Sequence, residues 1–263
     1  MWVIKRSGER EEYDENKVKQ ALLRSGASEA EADEILEKLR GRVYNGITTH
    51  EIYQHVRRML DRKRKIRYSL KDAIFSLGPE GHFFESLVAR LFQETGYAVR
   101  VRECIRGRCI PHEIDILAER GSERYLVECK FHNSAGTRCG IQTALYTYAR
   151  FLDISEVMPF ASPWLVTNTK FSGDVITYAR CIGMRLLGWR FPEDGGLESL
   201  LESHKLYPIT ILAIKKDVRN SLLTNGIITI KEIFTKKDRI YDILPELKAN
   251  EVLYAARAVA ECL

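Results

Sequence analysis

The sequence, 263 residues long, has no apolar run approaching the roughly 20 residues that a membrane-spanning helix needs. Its first residues, MWVIKRSGER, lack the apolar stretch of a secretory signal, so a soluble, cytoplasmic protein is expected. The six cysteines show no repeated CxxC spacing, which excludes a disulfide scaffold and makes reduced thiols the default. Cys104 and Cys109 alone invite more: they bracket the turn-like Ile105-Arg106-Gly107-Arg108 and could join in a disulfide, or with His112 bind zinc, although a fourth ligand is missing. No GxxxxGK[ST] loop occurs, which excludes P-loop nucleotide hydrolysis. A large excess of one charge is also absent. The net charge of +5 among 29% charged residues permits nucleic acid as a partner without demanding it.

What is present is enough apolar residue, 45%, for real cores, and a length that suggests about two domains with room for a small third. The most informative stretch is Ile110 to Lys130. Two runs of alternating and β-branched residues, Ile110 to Ala118 and Arg124 to Phe131, flank Gly121-Ser122 and read as a β-hairpin. A turn centred between Gly121 and Ser122 places Asp115 opposite Glu128, and strand alternation puts Lys130 on the face of Glu128 with Cys129 pointing away. Burying unpaired carboxylates costs on the order of several kcal/mol, so these acids must be solvated, paired with Lys130 or neutralised by a divalent cation. The cation is the expectation. Glu113 shares the face of Asp115 and could pair with Lys130, and His112 and His132 flank the group.

From the N-terminus, a short strand at Trp2 to Ile4 and a turn lead to a helix capped by Asp14. A second helix follows Ser28, where Glu31 completes a capping box, a third follows Thr48 or Thr49, and a fourth covers Tyr68 to Phe75. The basic run Arg62 to Arg67 then falls after the third helix, where cations complement a helix C-terminus. VIKRSGEREEYDENKVKQAL, NGITTHEIYQHV and RYSLKDAIFSLGP resemble, in order and spacing, the ATP-cone domain, a nucleotide-binding regulatory module. The resemblance covers residues 1–79 and implies an ATP or dATP site using Val3, Lys5, Arg6, Glu11, Asp14, Lys17, Thr49 and Tyr53. Ser7 stands where the family usually has Asp, and Tyr53 where some members have His.

Leu77 to Gly81 marks a boundary. Beyond it an amphipathic helix at Phe83 to Thr95 puts Glu85 beside an apolar stripe, a strand runs from Tyr97 to Arg102, and the hairpin follows. A helix at Arg138 to Phe151 carries Gln142 and Tyr146 four residues apart, and strands near Trp164 to Asn168 and Met184 to Gly188 flank a further helix. That order describes an α/β layer with a mixed sheet. Glu85, Asp115, Glu128-Cys129-Lys130, Gln142 and Tyr146 resemble the motif of Mrr-like PD-(D/E)xK restriction-endonuclease proteins over residues 80–192. The resemblance implies magnesium or manganese held by Glu85, Asp115, Glu128 and the Cys129 carbonyl, with Lys130 near the attacking water, Gln142 and Tyr146 supporting the site, and DNA as substrate.

Pro192 to Gly196 reads as a linker, and residues 197–263 as a small all-α domain. Arg219 to Ile227 with a helix capped by Thr229 resembles the helix-hairpin-helix class, which implies phosphate contacts near Lys215, Lys216 and Lys231; a helical packing or homodimerisation domain is the alternative. The expected whole is a multidomain, ATP-responsive, metal-dependent DNA endonuclease. A non-cutting DNA-binding regulator with the same fold and a structure-specific junction or repair nuclease remain the rivals.

Overall fold

A computed structural model describes residues 1–5 and 8–263. At the front, strands β1 (Trp2–Ile4) and β2 (Arg10–Glu12) pair antiparallel, with Val3 opposite Glu11. Four helices follow: α1 (Glu15–Arg24), α2 (Glu29–Arg40), α3 (Thr49–Met59) and α4 (Arg62–Phe75). Each starts where a side chain answers the orphan N–H groups of its first turn. Asp14 and Asp61 cap α1 and α4, and reciprocal boxes, Ser28 with Glu31 and Thr48 with Glu51, open α2 and α3. Val3, Leu22, Leu36, Leu39, Ile47 and Val56 form the core between them.

Helix α4 corrects the sequence reading of the basic run. Arg62 to Arg67 open this helix instead of closing the one before, so Arg62, Lys63 and Arg64 stand in its first turn, where the macrodipole disfavours cations. Asp61 compensates as the N-cap, and Arg64 pairs with both Asp61 and Glu31. The opposite face of α4 serves a different core. Ile66, Leu70 and Ile74 join the large apolar cluster that runs through the middle and end of the chain, while Tyr68 packs on the front core.

The middle of the chain contributes α5 (His82–Glu94), β3 (Ala98–Arg106), β4 (Pro111–Arg120), β5 (Glu123–Lys130), β6 (Arg138–Cys139) and α6 (Ile141–Ser155). It continues with β7 (Ser162–Thr167), β8 (Lys170–Phe171), α7 (Gly173–Ile182) and β9 (Arg185–Leu187). Five strands make one mixed sheet in the order β3-β4-β5-β7-β9, antiparallel from β3 to β5 and parallel beyond. The β4–β5 hairpin closes through Gly121-Ser122, with Arg120 paired to Glu123 and Gly121 at φ +61°. A left-handed residue suits the right-handed twist of a two-residue turn, and glycine adopts it without a Cβ penalty. The helix expected from Arg138 starts three residues later, because Arg138 and Cys139 pair with Lys170 and Phe171 as a small parallel ribbon. All six cysteines are free thiols, and Cys104 and Cys109 are exposed.

The remainder is helical: α8 (Leu197–Ser203), α9 (Lys216–Thr224), α10 (Ile230–Thr235), α11 (Lys237–Ile243) and α12 (Glu246–Ala260). Helices α9 and α10 are joined through Asn225-Gly226, and Thr229 caps α10 in a box with Glu232. The segment read as a linker turns at Pro192 to Gly195 with its first three residues exposed, and is packed at its end, Gly196. A Cβ at Gly196 would fall 2.6 Å from the Arg190 Cα, and Leu197 and Glu198 donate N–H bonds to the carbonyls of Gly188 and Trp189. This helical end also touches the front of the chain directly, for the buried Thr210 hydroxyl donates to the Ala73 carbonyl of α4 at 2.5 Å.

Candidate active site

Helix α5 buries Phe84, Leu87, Val88 and Leu91 against the sheet, which leaves Glu85, in its first turn, at the margin of that apolar face. Its Oε1 lies 3.5 Å from where a Cβ would stand on Gly81, so this glycine leaves the carboxylate its room. Asp115 stands where β4 and β5 part. Their ladder runs from Arg120–Glu123 to Ile116–Val127, and the next pair in that register would be Asp115 and Glu128. There the ladder stops, and the Cys129 N–H donates to Asp115 Oδ2 at 2.7 Å. The other neighbour of β4 breaks at the same level. Arg102 of β3 sits between the pairs Val101–Ile116 and Glu103–Ile114 with φ +54°, a left-handed backbone that side-chain-bearing residues adopt at a cost of about 1–3 kcal/mol.

The electrostatics of the three acids are alike. Burial, followed by the charge of Asp115, pushes the Glu85 carboxyl up to about 7. Burial also raises Asp115, against the lowering pull of the Cys129 N–H and Arg150. Glu128 is raised by burial and then by Asp115. Each acid is therefore held in a place that disfavours its charged form, which is the state that a cation relieves.

Sequence reasoning missed Arg150. It is 9% exposed, its Nη1 donates to Glu128 Oε2 at 2.5 Å, and its guanidinium lies 4.6 Å from the centroid of the Tyr146 ring. Gln142, Tyr146 and Arg150 follow at successive intervals of four along α6, a stripe that the sequence contains. Tyr146 is exposed, and Gln142, also exposed, makes no side-chain hydrogen bond among the described residues. Lys130 is exposed at the end of β5, and the Glu113–Lys130 pair offered by the sequence does not form. His112 is engaged elsewhere, with its Nε2 2.7 Å from Asp153 Oδ2. His132 is anchored through its backbone to both polar atoms of the Asn168 amide.

Among the described residues no three carboxylate, imidazole or thiolate groups converge into a preformed metal cage. Magnesium and manganese do not require one, since they are commonly bound through one or two carboxylates and keep several waters. Asp115 Oδ1 and Glu128 Oε1 accept no hydrogen bond among the described residues, and both belong to acids whose charged form is only partly compensated, by the Cys129 N–H and by Arg150. The hard-oxygen donor set fits such an ion.

A second group of expected residues meets at the front of the chain. Val3, Glu11, Asp14, Lys17, Thr49 and Tyr53 line one cavity of about 180 Å³. Lys5 is tied to its edge through Glu11, at 2.9 Å, and Glu11 also pairs with Lys17. The two ammonium groups, Lys17 first, hold the Glu11 carboxyl below its ordinary range. Tyr53 stacks on Tyr68 with centroids 5.2 Å apart. Arg6 lies outside the described residues.

The chain thus joins a capped helical module to a mixed sheet with an acid-bearing hairpin, and the comparisons say which domains have this form. A family model described as restriction endonuclease matches residues 78–188, and one described as ATP cone domain matches residues 1–74. An uncharacterized protein of Archaeoglobus fulgidus is 44% identical over 174 residues, which are 65% of this chain and 99% of that protein. The crystal structure of a protein of unknown function, AF1548, aligns at 42% identity with a TM-score of 0.63, covering 69% of this chain and 99% of that one. The chain therefore carries a restriction endonuclease domain with an ATP cone domain in front of it, and it belongs to one family with the Archaeoglobus fulgidus protein.

Proposed function

We propose that the protein is a divalent-metal-dependent DNA endonuclease whose activity responds to ATP or dATP in the cone. The observation that carries this reading is the crowding of Glu85, Asp115 and Glu128, all raised by burial, beside the exposed Lys130. Asp115 and Glu128 would hold magnesium or manganese, with Glu85 and the Cys129 carbonyl adjoining. When bound, the ion supplies a Lewis acid that lowers the pKa of water and stabilises charge on the phosphoryl group. Lys130 orients the attacking water and meets the phosphate. Arg150 fixes the Glu128 carboxylate, and Tyr146 fixes Arg150 from beneath.

In the cone, Lys5 and Lys17 are the cations available to phosphates, Thr49 begins α3 beside them, and Tyr53 offers a ring to the nucleotide. DNA is the substrate that the family implies, with the α9–α10 hairpin and its lysines as a further phosphate contact.

The experiment is plasmid and oligonucleotide cleavage with magnesium or manganese, with and without ATP, over duplex, flap, branched and single-stranded substrates. The parent should cut only with metal, and Asp115→Ala and Lys130→Ala should not cut. Asp115→Ala cutting as fast as the parent would sink the assignment. Lys17→Ala should weaken ATP binding at least tenfold by calorimetry, and unaltered binding would remove the cone from the reading.

A further inference from the structure

Between the cone and the nuclease domain lies a cavity of about 230 Å³, separate from the one that gathers Lys17 and Asp14. The two share a wall made of Ala21, Thr49, Tyr53 and Tyr68, so the stacked tyrosine pair stands between them. Arg24 of α1 and Arg67 and Lys71 of α4 enter from the cone side, and Arg190, three residues beyond β9, enters from the nuclease side. Through Arg24 and Arg190 the cavity continues into a hollow of about 480 Å³ along α8.

These four cations are only partly matched by acids. Of the three carboxylates that line the cavity, Glu198 is paired with Arg190 at 2.5 Å, Asp72 bonds to Tyr53, and Glu202 is the remaining one. Lys71 meets no carboxylate in an ion pair among the described residues; its ammonium stands over the rings of Trp189 at 5.7 Å and Phe75 at 6.0 Å. Two buried donors, Nε of Arg67 in the cavity wall and Nε1 of Trp189 in the wall of the adjoining hollow, have no acceptor among the described residues. Burial, and then the charge of Arg190, pushes the Lys71 ammonium down to about 8. Lys71 and Arg67 are partly withdrawn from water, so an anionic oxygen would offset their desolvation, while Arg24 and Arg190 are exposed and extend the positive lining towards solvent.

We propose that this cavity binds a polyphosphate chain, held by Lys71, Arg67 and Arg24 of the cone and by Arg190 of the nuclease domain. Four cations on three elements suit a ligand with several linked negative charges better than a single carboxylate. The cavity is too confined for a nucleic-acid duplex, whose backbone is served by open grooves. A bound chain lies across the domain junction, so its presence is felt by both sides at once. The site is additional to the nucleotide site of the cone and independent of the reading of the catalytic acids.

The test is calorimetric titration of the full chain with inorganic tripolyphosphate at neutral pH and fixed ionic strength. Saturable binding is expected, weakened at least tenfold in Lys71→Met and in Arg190→Gln, and kept in Arg180→Gln, an exposed cation outside the cavity. Lys71→Met keeps an unbranched stem over the two rings, and thermal unfolding of both variants checks that they are folded. Competition by ATP identifies a nucleoside triphosphate as the source of the chain, and failure to compete identifies inorganic polyphosphate. Absence of saturable binding, or parent-like affinity in either cavity variant, overturns the proposal. So does affinity lost in Lys17→Ala but kept in Lys71→Met, which moves the phosphates to the cone cavity. ATP binding measured beside it reports on the cone site separately, so the two assignments can fail independently.

Discussion

Two sets of carboxylates in this chain are withdrawn from water, and they respond in opposite ways. Glu232 of α10 is 7% exposed and has nearly every lone pair in use. Arg90 Nε of α5 lies 2.9 Å and Lys236 Nζ 2.7 Å from its Oε1, while the N–H groups of Ile228 and Thr229 donate to its Oε2. Burial alone would raise its carboxyl, but Lys236, Arg90 and the Ile228 N–H outweigh burial and hold it low. Glu85, Asp115 and Glu128 have fewer donors and more negative neighbours, and all three are raised. Glu232, which supports the fold, is surrounded by donors, and the three acids proposed to hold a cation are left short of them. Between Glu232 and these three acids the direction of the shift differs although all four are withdrawn from water.

The contrast can be broken from either side. Glu232→Ala removes the clamp between α5 and α10 and the capping box of α10, and should cost about 3 kcal/mol of unfolding free energy, because Arg90 and Lys236 lose their partner but still reach water. Urea denaturation measures the loss, and cleavage per folded molecule should be retained. Asp115→Asn is the mirror image: at least about a 100-fold loss of metal-dependent cleavage, roughly 2.7 kcal/mol in barrier, with stability equal to or above that of the parent. A fall in stability as large as that of Glu232→Ala would erase the distinction.

pH sharpens the comparison at a smaller scale. For Glu85 the folded carboxyl titrates near 7 and the ordinary one near 4.5, so between these values the unfolded chain releases a proton that the folded chain keeps. Metal-free protein should therefore lose stability from this group as pH rises from about 4.5 to 7, and Glu85→Gln should flatten that slope in urea titrations. Glu232, held low, acts the other way: its contribution is present above about 4.5 and is lost as pH falls below that. The smallest expected effect belongs to Tyr146→Phe, which keeps the ring under Arg150 and loses one hydroxyl, and should slow cleavage only a few-fold.

The hairpin acids were readable because strand alternation and a two-residue turn leave one register that buries the apolar side chains. Glu85 was readable from the stripe beside it. Arg150 was not, although it continues the spacing of Gln142 and Tyr146, because an arginine on a helix is mostly a surface residue until a buried acid is known to face it. The basic run after Leu60 suggests the end of α3 for a related reason: cations favour a helix C-terminus, and only the extended Leu60 and the Asp61 cap reveal that a new helix starts there. Pro192 to Gly196 has the composition of a spacer, and the close approach of Gly196 to the backbone of Arg190 is something that local composition does not report. The cavity around Lys71 gathers α1, α4 and α8, elements far apart along the chain, so no local pattern announces it.

Helix α4 sets a limit on how the pieces of this protein can be recombined. It closes the cone on one side, lays Ile66, Leu70 and Ile74 into the central core on the other, and accepts the Thr210 hydroxyl through Ala73. A cut at Gly78 would thus release a cone with a sticky apolar stripe and a nuclease with an open trough in its core. The boundary legible in sequence is therefore not a mechanical seam: grafting the cone onto another enzyme would require a host surface able to receive α4, or a redesigned α4 with polar residues in place of that stripe.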